Sequence, residues 1–154
     1  MKLAEALLLR ADIQKKVASL RDRITRYAVG QEGDKPAEDP KKLLAQVAGA
    51  LDQLGQIVFK INQANLQSKL ADGRSLTQAM AARDALAQRH SIYQSAIAGT
   101  AREPDRYGLK EVKWVHTLDV SSLQKQSDDL AKRIRELNAA IQEANWKTEV
   151  AIKE

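Results

Sequence analysis

Apolar residues recur through the first segment at Ala6, Ile13, Val17, Leu20, Ile24 and Tyr27, with Arg10 in the same series. Steps alternating between three and four residues place one row on one side of a helix, close to a heptad repeat. This predicts a helix over residues 3–29, about 40 Å long at 1.5 Å per residue, stopping at Gly30. The polar stretch Gly30 to Asp39 reads as a loop. Asp39-Pro40 then signals a helix start, an N-cap acceptor followed by a proline whose missing N–H costs nothing there. The second helix carries Leu43, Leu44, Val47, Leu51, Leu54, Val58 and Ile61 and is expected to reach about Leu70.

Asp72-Gly73-Arg74 is a turn, and Ser75 with Gln78 forms a capping-box pattern that starts a third helix near Leu76. Its row is Leu76, Ala79 or Met80, Arg83, Leu86, His90, Tyr93 and Ile97, ending near Gly99. From Thr100 to Leu118 the helical period disappears. Val112, Trp114, His116 and Leu118 alternate with Glu111, Lys113, Val115 and Thr117, a period of two that suggests a short strand or hairpin arm. Asp119 or Ser121 can cap a fourth helix, with Leu123, Leu130, Ile134, Leu137, Ile141 and Ala144 on one side. The predicted fold is all-α: an elongated antiparallel bundle of four long helices forming one domain over residues 1–154. A short β-like arm at about residues 100–118 separates helices three and four. Ile61 to Ser68 also resembles Ile141 to Thr148, eighty positions on, hinting at two related helical hairpins.

Composition narrows the picture. Hydrophobic residues make up 44% of the 154 positions but aromatics only 4%, so Leu, Ala, Ile and Val must supply the burial. No cysteine occurs, which removes disulfides, thiolate metal sites and cysteine nucleophiles and is compatible with a reducing compartment. A net charge of +5 comes from 25 basic residues against 20 acidic ones, a mixed surface. Basic residues on helices one and four are interleaved with acids: Asp22 precedes Arg26, Asp128 precedes Lys132, and Asp129 precedes Arg133. That spacing reads as a solvated, salt-bridged face, and nucleic-acid binding is not expected. The apolar run near Leu7, Leu8 and Leu9 is broken by Glu5 and Arg10, too short for a signal sequence. No stretch approaches the roughly 18 apolar residues of a membrane span. A cytoplasmic protein without membrane contact is expected.

Candidate chemistry lies in the polar residues that interrupt the apolar rows. Arg10, Arg83 and His90 occupy row positions, and Asn65 and Asn145 continue the rows of helices two and four. A buried charge needs a partner, and Asp84, Asp12 and Glu143 are candidates. Such a layer fixes register in helical assemblies; the alternative is a polar ligand pocket inside the bundle built around Arg83, Asp84 and His90. His90 and His116 are the only histidines, and neither has metal-ligand spacing, so no metal or cofactor is expected. Neither a nucleophile triad nor a phosphate loop can be assembled, so catalysis is not expected. A short alternating segment cannot be stable alone, so Val112, Trp114 and Val115 in the arm are candidates for contact with a second subunit, with an arm folded on its own bundle as the alternative.

The segment Leu70-Ala71-Asp72-Gly73-Arg74-Ser75-Leu76-Thr77, with Ala82-Arg83-Asp84-Ala85-Leu86 and Arg89-His90-Ser91, resembles a family of small helical bacterial proteins labelled septicolysin-like. Lys2 to Leu7, Gln31-Glu32-Gly33, Pro36 to Pro40 and Gln142 to Trp146 look similar too, so the likeness runs from about residue 1 to 148. It implies a helical, oligomeric protein of unknown function, and the label itself implies a pore-forming cytolysin. The residues alone point to a non-catalytic homo-oligomer acting as a structural or interaction protein. A ligand- or metal-binding bundle with a polar interior site, open to enzymatic activity, is the alternative.

Overall fold

The computed structural model describes residues 1–101 and 113–151. Four helices follow in order: α1 (Leu3–Tyr27), α2 (Pro40–Gln67), α3 (Leu76–Thr100) and α4 (Val120–Lys147). The chain is all-α and bundle-like. Local chemistry sets the helix starts. Asp39 Oδ1 accepts from Lys41 N at 2.9 Å with Pro40 in the first turn. Ser75 Oγ accepts from Gln78 N at 3.1 Å while Gln78 Oε1 accepts from Ser75 N at 2.9 Å, closing the capping box. Asp119 Oδ1 accepts from Ser122 N at 3.0 Å at the start of α4.

Contacts divide the chain into two compact units, Met1–Lys69 with Gln142–Glu154, and Leu70–Ile141. In the first unit α1 packs against α2. Arg23 holds Glu38 in the connecting loop, Nε to Oε2 at 2.7 Å. The opposite end is fastened by the exit of α4. Leu3 N donates to Thr148 O at 2.9 Å and Val150 N to Met1 O at 2.8 Å. Thr148 Oγ1 donates to Ser68 Oγ at 3.1 Å. Val150 is buried there, and Lys2 pairs with Glu149.

In the second unit Gln94 Nε2 on α3 donates to Ser127 Oγ on α4 at 2.6 Å, which satisfies a fully buried hydroxyl. The turn before α3 is closed by Leu70 N to Arg74 O at 2.8 Å, with Gly73 at φ +84°. That conformation favours glycine.

The eighty-residue echo extends to the architecture. α1 and α3 are both 25 residues long, and α2 and α4 are both 28. Ser68 N to Ala64 O recurs as Thr148 N to Ala144 O, and Leu43 N to Asp39 O as Leu123 N to Asp119 O. Leu70 N to Arg74 O has its counterpart in Val150 N to Met1 O. The two hairpins are thus built to one plan.

Burial follows a heptad. Ala6, Ile13 and Leu20 are buried on α1, and Leu43, Ala50, Ile57 and Ala64 on α2. The α2 row differs from the sequence expectation. Leu44 and Leu51 are exposed, while Ala50 and Ile57, which the expected row left out, are buried. Both choices fit three-and-four spacing, and the larger leucines do not win the interior. Leu137 is buried, and Leu54 and Leu86 are half-buried.

The arm also differs in its described part. Lys113 to His116 has no regular secondary structure, so the alternation there does not make a strand. Trp114 and Val115 are exposed on this chain; Val112 lies outside the described residues. A lone alternating segment lacks the cross-strand partner that would satisfy its backbone.

Candidate functional site

The polar row residues fall in different places. Arg10 sits between Ala6 and Ile13 on α1, half-buried, and its Nε is shielded from solvent without a hydrogen-bond partner among the described residues. Arg83 stands at the matching point of α3, seventy-three positions on. Its Nε and Nη2 donate to Asp84 Oδ1 at 2.9 and 2.6 Å, in a largely exposed pair. His90 is half-buried on α3. Asn145 is buried and Asn65 half-buried at equivalent positions of α4 and α2. Arg10, Asn65 and Asn145 belong to the first unit, and Arg83, Asp84 and His90 to the second.

The other expected partners of the row charges are engaged elsewhere. Asp12 lies 3.8 Å from Lys15, and Glu143 pairs with Lys147. The charged face of α4 keeps the four-residue spacing with other partners: Lys132 meets Glu136 at 3.9 Å, and Asp128 accepts from Gln124 Nε2 at 2.9 Å. Among the described residues no three His, Cys, Asp or Glu side chains gather as a metal would require.

Perturbed carboxylates mark structural joints. The hydrogen bond from Arg23, with its charge, holds Glu38 below the usual carboxylate range, and Lys2 does the same for Glu149. Glu143 is lowered by Lys147 and Asp72 by Arg74 in the same way.

Sequence reasoning missed two surface features. The first is an open cleft of about 330 Å³ between α3 and α4. Arg89, Lys125 and Arg133 bring three cations to it, Asp129 one anion, and Tyr93 and Leu130 an apolar floor. The interleaved charges of α4 hid it, because Lys125 and Arg133 stand against Asp129 on that helix and the excess of cations grows when Arg89 of α3 is added.

The second is an apolar row on α2. Leu44, Leu51, Phe59 and Leu66 are 53%, 49%, 63% and 64% exposed. With Ala48, Gly55 and Asn62 they fill a stripe about 80° wide, roughly 150° round the helix from the buried row at 100° per residue. On α4 the eighty-residue counterparts are Gln124, Asp128, Ala131, Arg135, Ala139, Gln142 and Trp146. The same face of the matching helix is therefore mostly polar or small. A heptad count would have found the α2 row, had positions 44, 51, 59 and 66 been separated from 43, 50, 57 and 64.

Four long helices without a strand among the described residues define an all-α, bundle-like protein. The chain belongs to a family of unknown function, DUF6847, whose model matches residues 10–150. It is also similar to a functionally unknown conserved protein from Corynebacterium diphtheriae whose crystal structure is known. The two are 34% identical, with a TM-score of 0.87, over 97% of this chain and 98% of the other. No curated protein matches the chain. These findings overturn the septicolysin-like resemblance: the family matched is another one, and the similar structure carries no such label. Among the described residues, no helix is long and apolar enough to cross a membrane.

Proposed function

We propose that the protein is a non-catalytic, self-associating interaction protein acting in the cytoplasm. The observation that carries this reading is the exposed apolar row of α2. An uncovered row of large side chains costs solubility and is a common mark of a protein-binding surface. Its absence from the matching face of α4 argues that the hairpin plan does not require it. The polar row residues fit a packing role. Arg10 with Arg83, and Asn65 with Asn145, occupy equivalent points of matching helices, as expected of a device that sets helix register. Trp114 and Val115 add exposed apolar surface for contact between copies.

Native mass spectrometry of the purified protein tests the reading, since it weighs subunits, metals and retained molecules together. Assemblies at whole multiples of the 17.1 kDa chain, with no added mass, are expected. A monomer carrying a metal or small molecule would overturn it. The cleft lined by Arg89, Lys125 and Arg133 favours a second reading, a small anionic ligand held between α3 and α4. Isothermal titration with inorganic phosphate, and with an Arg89→Ala, Arg133→Ala variant as control, checks that alternative. Heat released by the native protein and lost in the variant would support it.

A further inference from the structure

The exposed row of α2 reads nearly the same in both directions about Gly55. Leu44 and Leu66 stand eleven positions either side of Gly55, Ala48 and Asn62 seven, and Leu51 and Phe59 four. We infer that α2 pairs antiparallel with α2 of a second copy of this chain, crossing at Gly55. Leu44 then meets Leu66 of the other copy, Leu51 meets Phe59, Ala48 meets Asn62, and Gly55 meets its own equivalent. An interface with two-fold symmetry must be self-complementary in this way. This inference rests on the self-association proposed above and names the surface that performs it.

Gly55 gives the pairing its centre. A glycine inside a helix lowers helix stability by about 1 kcal/mol relative to alanine, so a folding reason is expected within the chain. Among the described residues a Cβ at Gly55, as at Gly49, would meet nothing within 4 Å, so the space on this face is open. A second helix crossing there uses the missing side chain, because small residues let two backbones approach closely. Leu51 and Phe59 flank the crossing within about one helical turn, and Leu44 and Leu66 close its ends.

The row runs about 33 Å along the helix at 1.5 Å per residue. Its four large side chains leave roughly 400 Å² in water, within the range of the largest patch on a typical monomer. Buried on both copies with the flanking Ala48, Gly55 and Asn62, the surface approaches the lower end of specific interfaces, about 1,200 Å² in total. A reversible dimer of modest affinity follows.

The chain has no cysteine, so a single introduced thiol reports only contact between copies. A disulfide needs Cα atoms within about 7 Å. Gly55→Cys is expected to form a covalent dimer under mild oxidation, in parallel with light scattering on the wild type. Leu44→Cys alone is expected to stay monomeric on denaturing gels, because its equivalent lies at the far end of the pairing. Leu44→Cys mixed with Leu66→Cys is expected to cross-link. Circular dichroism verifies that each variant keeps its helix content; Leu51→Cys, a further exposed position, replaces any that does not and is expected not to cross-link with itself. A wild-type dimer without cross-linking at Gly55, or with Leu44→Cys joining itself, overturns this pairing and leaves self-association standing. A wild type that is monomeric at every concentration overturns both.

Discussion

Individual side chains divide into those that fold the chain and those that face outward, and substitutions separate them. Leu20 is 2% exposed on α1, and Leu20→Ala is expected to destabilise the protein by about 2–5 kcal/mol through lost transfer energy and the cavity left behind. Leu51 is 49% exposed, so Leu51→Ala should stay within about 0.5 kcal/mol of the native protein under dilute conditions. Urea unfolding of the two variants measures both. Equal losses would contradict the assignment of burial to the Ala50 and Ile57 row. Asp39→Ala removes the oxygen that accepts from Lys41 N, and about 1 kcal/mol of stability should go with it in the same measurement.

Among the helices, local chemistry was legible and facing was not. Asp39-Pro40 and the Ser75–Gln78 box located two helix starts because a cap is an interaction between near neighbours. α2 was harder, since Leu43 and Leu44, or Ala50 and Leu51, both satisfy the helical period. Which of each pair turns inward depends on α1, and small Ala50 suits a close approach that Leu51 does not. The same ambiguity conceals the outer row, because in sequence the two stripes merge into one. The cleft required Arg89 of α3 to be placed beside Lys125 and Arg133 of α4, which spacing along one helix cannot reveal. The mistaken family resemblance has a related origin. Asp72-Gly73-Arg74-Ser75 is turn and cap chemistry that any helical hairpin of this geometry needs, so it does not separate one family from another. Gly49 offers an element-scale test: a Cβ there would meet nothing within 4 Å. Gly49→Ala should therefore raise helix stability by up to about 1 kcal/mol, read as a higher melting temperature.

For the whole molecule, ion pairs at the joints set the response to acid. Glu38 and Glu149 have folded-state pKa values lowered by Arg23 and Lys2. Their stabilising contribution is present above the ordinary glutamate value of about 4.3. It is lost as pH falls through the depressed folded values, since the unfolded chain binds those protons more readily. The melting temperature should therefore decline as pH drops below about 4.3, and Glu149→Gln should flatten part of that decline. An unchanged profile in the variant would remove the Lys2–Glu149 pair from the account.

The proposed recognition surface is the outer face of α2, with the interior left to packing. Sedimentation equilibrium of the native chain beside Phe59→Glu tests this most directly. The native protein should sediment as a concentration-dependent dimer, and the variant at the 17.1 kDa of one chain with its helix content unchanged. Identical masses for the two would contradict it.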